Sequence, residues 1–138
     1  MGATSLTDPA FWNDPAPFAA GNPPTDIPEL NGHVLFETSG STGAPKWIAL
    51  SKDALLASAA AVNAHLEVTA SSCWGLALPA HHVGGFGVAA RAFAAGCAFR
   101  EFGKRWNAVE FARWLGENRV SHTSLVPTQV ARLLADPR

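Results

Sequence analysis

His33-Val34-Leu35-Phe36-Glu37-Thr38, then Ser39-Gly40-Ser41-Thr42-Gly43-Ala44-Pro45, then Lys46-Trp47-Ile48-Ala49-Leu50 is the stretch on which the fold turns. Its two flanks are short and strand-prone, while its middle gathers hydroxyl residues and glycines that interrupt regular structure. Pro45 biases Ala44 away from the helical region, and the residues after Lys46 read as extended. The connection is therefore expected to join two strands, not a strand and a helix. Directly after it, Ser51 is a plausible N-cap with Asp53 in the first turn. Leu55, Ala59, Val62 and Leu66 then recur at helical spacing, predicting a helix to about residue 66.

Further along, strand and helix alternate. Cys73–Leu78 reads as a strand, Pro79–Val83 as a turn, Gly84–Ala95 as an Ala-rich helix and Cys97–Phe102 as a strand. Asn107 with Glu110 three residues on resembles a capping box, and Ala108, Phe111, Ala112 and Leu115 form an apolar stripe before Gly116. Val120–Val126 reads as a strand and Thr128–Leu134 as a helix. This alternation predicts an α/β fold, with right-handed crossovers and a mostly parallel sheet covered by helices. The ending, Ala135-Asp136-Pro137-Arg138, reads as an interruption rather than a completed domain.

Ahead of His33 the texture differs. Residues 1–32 hold six of the ten prolines, so an irregular, turn-rich leader is expected, with Trp12 and Phe18 as its anchors and packing as its role. Of the 138 residues, 48% are hydrophobic and 15% charged, which favours a packed interior over disorder. The net charge of −1 lacks the basic bias of a nucleic-acid binder. Cys73 and Cys97 have neither CxxC spacing nor a disulfide pattern, which suggests a reducing compartment. Met1–Thr7 lacks the start of a secretory signal and no apolar run is long enough to span a bilayer, so a cytoplasmic protein without a membrane partner is expected.

The segment from Thr38 to Lys46 carries the chemistry. Gly40 and Gly43 free the backbone to aim its N–H groups at one place, the hydroxyls of Thr38, Ser39, Ser41 and Thr42 add donors, and Lys46 supplies a positive charge. Such a loop suits a polyphosphate. A Walker A loop fails on spacing, because Pro45 follows Gly40 by five residues and Trp47 follows Lys46. A G-x-S-x-G nucleophile elbow fails too, since Gly40 directly precedes Ser41. A flexible Ser/Gly linker is the bland alternative; the two hydrophobic flanks and the Pro-Lys ending count against it. No metal site is read: His81 and His82 lack ligand spacing to the cysteines.

Thr38–Lys46 resembles the phosphate loop of the adenylate-forming superfamily, which includes acyl-CoA synthetases, nonribosomal peptide synthetase adenylation domains and luciferases. Leu78-Pro79-Ala80-His81-His82-Val83-Gly84-Gly85 is similar to the superfamily's next motif, with His82 at its His position and His81 replacing the more usual aromatic residue. Together with Ser124-Leu125-Val126-Pro127-Thr128-Gln129 and the short leader, this wording is most similar to the o-succinylbenzoate-CoA ligases. Turn histidines bonded to backbone carbonyls, and ordinary strand-to-helix packing after Ser124, remain the structural alternatives.

The resemblance implies that residues 33–138 form part of the large N-terminal domain of an adenylate-forming enzyme. It implies ATP with Mg2+, coenzyme A as co-substrate and a small carboxylic acid as partner, in a step of menaquinone biosynthesis. It assigns Thr38, Ser39, Gly40, Ser41, Thr42, Gly43 and Lys46 to the nucleotide, with Lys46 neutralising charge as pyrophosphate leaves. His81, His82, Gly84 and Gly85 border the acyl pocket. No general base is evident, and an incoming carboxylate, already ionised at neutral pH, needs none. The superfamily's Tyr-Gly-x-Thr-Glu segment has no counterpart, as the chain has no tyrosine. Nor do its ribose-binding Thr-Gly-Asp or its small C-terminal domain with a catalytic lysine, so the chain alone is expected to be inactive. A non-catalytic phosphate-binding module and a structural remnant are the other readings.

Overall fold

The computed structural model describes residues 2–20, 30–38 and 43–135. A 3-10 helix (Ala3–Thr7) leads into α1 (Pro9–Asn13) and β1 (Phe18–Ala20). Then come β2 (His33–Thr38), β3 (Lys46–Ser51), α2 (Lys52–His65), β4 (Cys73–Leu76), α3 (Val83–Ala95), β5 (Ala98–Glu101), α4 (Ala108–Glu117), β6 (His122–Thr123) and α5 (Pro127–Ala135). No helix among the described residues is long and apolar enough to cross a membrane.

The fold is α/β, and its strands divide between two sheets of three. The order β5-β4-β6 is parallel throughout, joined by the helical crossovers that parallel neighbours require. In the order β1-β2-β3, β1 runs parallel to β2 while β2 and β3 are antiparallel. Sheet pairing of this kind depends on contacts distant in sequence, which local periodicity does not report. Three expected strands are shorter than their predicted runs: β4 stops at Leu76, β5 spans only Ala98–Glu101, and the run from Val120 to Val126 contributes only His122–Thr123.

The leader corrects the expectation of an irregular arm over the residues described. Asp8 caps α1 by accepting from the Ala10 amide at 2.9 Å, with Pro9 at the first helical position. β1 then pairs Phe18 with Val34 and Ala20 with Phe36. Trp12 is buried, donates its indole N–H to the Leu6 carbonyl at 2.6 Å and stacks on Phe93.

Ser51 and Asn107 cap α2 and α4 as their sequences imply, accepting from the amides of Ala54 and Glu110. Along α2, Leu55 and Ala59 are buried and Val62 half-buried, but Leu66 is exposed because the helix ends at His65 and Glu67 takes a positive φ of 56°. α3 is apolar on nearly every face, the signature of a helix buried on more than one side. It serves two cores. Phe86, Ala89 and Ala90 join Leu6, Trp12, Val34, Phe36 and Leu55, while Val88 and Ala92 pack with Ala3, Trp74 and Leu76. Asn63 ties these layers by a polar route: its amide donates to the Arg91 carbonyl at 2.9 Å and accepts from the Trp74 indole at 3.1 Å.

Candidate functional site

β2 and β3 form an antiparallel pair whose last register partners are Thr38 and Lys46, so residues 39–45 are the connection between them. Thr38 Oγ1 donates to the Lys46 carbonyl at 3.2 Å, which closes the mouth of the connection. The single hydroxyl proton of Thr38 is thereby committed to the backbone. Gly43 has a φ of +85°, a conformation that favours glycine, and nothing lies within 4 Å of where its Cβ would stand. Gly43, Ala44, Pro45 and Lys46 are all exposed. The Lys46 ammonium thus starts from an open strand end rather than from a helix cap. Ser39, Gly40, Ser41 and Thr42 lie outside the described residues.

The second motif sits at the entrance of α3. The His82 amide donates to the Pro79 carbonyl at 3.2 Å, forming the turn that precedes the helix, and His82 is its N-cap residue without a side-chain cap bond. The His81 and His82 rings are exposed and lie 4.3 Å apart, tilted by 43°. Gly84 is exposed, whereas Gly85 is buried against the turn: a Cβ there would stand 2.1 Å from the Pro79 carbonyl oxygen. Close passage of the helix start beneath Leu78 and Pro79 therefore requires glycine.

The structure brings the site residues together in two groups, Thr38 with Gly43 and Lys46, and His81 with His82, Gly84 and Gly85. They are joined through aromatic packing. Phe36, two residues before Thr38, meets Phe86, four residues after His82, edge to face at 5.1 Å. His81 also lines a cavity of about 230 Å³, with Ala80 and Phe86 on its side and Leu6, Phe18 and Ala20 of the leader opposite. A more open cavity of about 630 Å³ lies at the carboxyl ends of β4 and β5, bordered by Leu78, Pro79, Lys104, Arg105 and Trp106. That end of a parallel sheet is where α/β folds bind ligands.

Sequence reading passed over Lys104 and Arg105, although a basic doublet directly after a strand and before the Asn107 cap is a recognisable signal. Burial pushes the thiols of Cys73 and Cys97 above the usual cysteine range, against smaller opposing effects from Arg100 on Cys73 and from the backbone of Trp74 and of Cys97 itself on Cys97. Both cysteines are free thiols, and these shifts make thiolate chemistry at neutral pH less accessible.

The AMP-binding enzyme family matches residues 5–138. A 2-succinylbenzoate–CoA ligase of Enterococcus faecalis is 31% identical over 112 residues, covering 81% of this chain and 22% of the relative. A ligase of the same name from Haemophilus influenzae is 34% identical over 97 residues, covering 70% of this chain and 20% of the relative. The chain thus spans about a fifth of the length of these two relatives. Among solved structures, o-succinylbenzoate coenzyme A synthetase from Bacillus subtilis, in complex with ATP and magnesium ion, superimposes with a TM-score of 0.68 at 26% identity, over 75% of this chain and 22% of that one. The same synthetase in complex with its acyl-adenylate intermediate also gives a TM-score of 0.68, over 75% of this chain and 27% of that one. With a family match over nearly its whole length, the chain belongs to the AMP-binding enzymes.

Proposed function

We propose that this chain carries the ATP phosphate loop of an AMP-forming acid–CoA ligase of the o-succinylbenzoate type, acting in the cytoplasm. The observation that carries the reading is the β2–β3 pair, which sets Thr38 and Lys46 face to face across a connection rich in hydroxyls and glycine. In the reaction of such a ligase, a substrate carboxylate oxygen attacks the α-phosphorus of Mg-ATP and the bond to pyrophosphate breaks, leaving an acyl-adenylate. The thiol of coenzyme A then displaces AMP to form the thioester. Positioning and charge neutralisation dominate the first step.

Within this chain, the hydroxyls of Ser39, Ser41 and Thr42 and the loop amides would hold the β- and γ-phosphates, and Lys46 would neutralise charge on the departing pyrophosphate. Thr38 frames the loop by its bond to the Lys46 carbonyl. His81 and His82 border the acyl side, and Lys104 and Arg105 add positive charge beside the open cavity that a carboxylate would enter.

Calorimetric titration with Mg-ATP tests the reading. Binding by the unaltered chain is expected, with Lys46→Ala weakening it about tenfold or more, as loss of a charged hydrogen bond worth roughly 1.5–3 kcal/mol implies. Absent binding, or equal affinity in the two proteins, would contradict it and favour a structural remnant.

A further inference from the structure

Lys52, the first residue of α2, is 5% exposed although a lysine ordinarily keeps its charge in water. Its ammonium donates to the carbonyls of Phe11 at 2.6 Å and Asp14 at 2.8 Å, at the carboxyl end of α1, and lies 4.3 Å from the centre of the Phe11 ring. Carbonyls at a helix end keep acceptor capacity to spare: the Phe11 oxygen also accepts from the Asp14 amide at 3.3 Å, and a cation there meets its second lone pair and the Asp14 oxygen. Among the described residues no carboxylate lies within ion-pair distance of it. Burial lowers the lysine's pKa from its ordinary value, an effect that Asp14 partly offsets. At the same corner the Lys52 amide donates to the Gly32 carbonyl at 2.7 Å and the Gly32 amide to the Pro15 carbonyl at 2.8 Å.

We propose that Lys52 is a positioning residue that latches the segment Gly2–Ala20 onto the β2–β3 pair. Leu6 and Trp12 of that segment are buried and Phe11 and Phe18 pack against the same core, but apolar burial has no direction and would tolerate a shifted seat. The ammonium selects one seat, because two carbonyls and a ring face must converge on a single nitrogen. That seat sets the register of β1 on β2, Phe18 against Val34, and places Phe18 and Ala20 on the cavity wall opposite His81. The latch depends on no bound nucleotide, so it stands apart from the functional reading above.

The chain has three lysines, and Lys46 and Lys104 are exposed, which permits a direct test on the unaltered protein. Reductive methylation followed by mass spectrometry should modify Lys52 at least tenfold more slowly than Lys46 or Lys104. Its rate should follow hydrogen exchange of the Phe11 and Trp12 amides and not that of the β4 amides. Lys52→Met, which keeps the length and removes the charge, should lower exchange protection over residues 2–20 at least tenfold and leave residues 73–123 protected. Lys52 labelling as fast as Lys46, labelling out of step with the leader amides, or full protection of the leader in Lys52→Met would overturn the proposal. If the variant does not fold, the labelling of the unaltered chain decides.

Discussion

Phe86→Ala lowers the unfolding free energy of the chain by about 4 kcal/mol, in the range measured when a fully buried aromatic side chain is truncated. Phe86 has no exposed surface and is the point where leader, sheet and helix meet. Its ring lies edge-on to Phe36 at 5.1 Å, to Trp12 at 5.9 Å and to Phe11 at 6.0 Å. Removing it takes away its own burial and one partner from each of those rings, and alanine neighbours at 89 and 90 have no longer side chains to fill the space. In urea, with slopes of about 1–3 kcal/mol/M for small domains, the midpoint should fall by roughly 2 M. The five tryptophans make fluorescence a suitable probe, and a shift below about 0.5 M would mean that the core around Phe86 does not depend on this contact.

Gly85→Ala costs about 3 kcal/mol, at the upper end of what overpacking usually produces. The added methyl would stand 2.1 Å from the Pro79 carbonyl oxygen, 2.7 Å from its carbon and 2.9 Å from the Leu78 carbonyl oxygen. All three obstacles are backbone, so no rotamer change relieves the clash. The turn from Leu78 to His82 must move instead, and His81 and His82 with it. The same substitution at Gly84 would meet only the Leu78 side chain at 3.5 Å, an ordinary contact. Gly84→Ala is thus the matched control, expected to leave the melting curve and the His81 and His82 imidazole resonances nearly unchanged. Equal behaviour of the two variants would show that the helix does not pass this close to the turn.

Much of the fold was legible because its signals are local. Ser51 and Asn107 announce helix starts by the geometry of a short polar side chain over the following amides. Pro45 indicates that Lys46 opens a strand and not a helix. Other features depend on partners remote in sequence. β1 has three residues, too few to show a period, and exists because β2 accepts it as a neighbour. Lys52 and Asn63 lie on the same face of α2 as Leu55 and Ala59, but a lysine or asparagine on such a stripe does not reveal which groups will satisfy it; their partners lie at the end of α1, on β4 and on α3. The division into two sheets depends likewise on which strands meet, and α3 could lie between them because nearly all its faces are apolar.

In the candidate site, residue types and spacing marked Thr38–Lys46, since phosphate binding needs backbone freedom, hydroxyls and a cation close together, whereas Leu78–Gly85 stood out only by its resemblance to the superfamily's next motif. The commitment of the Thr38 proton to Lys46 was not legible, because it follows from strand register. Nor was the link between the motifs, which runs through Phe36 and Phe86 and was hidden among ordinary core residues.

The most direct test of the phosphate-loop reading is the amide spectrum of the 15N-labelled chain as a magnesium complex of a non-hydrolysable ATP analogue is added. The expected result is that the largest shifts fall on Thr38, Gly43, Lys46 and the residues between them. Shifts concentrated elsewhere, for instance on Lys104 to Trp106, with Thr38, Gly43 and Lys46 unmoved, would contradict it.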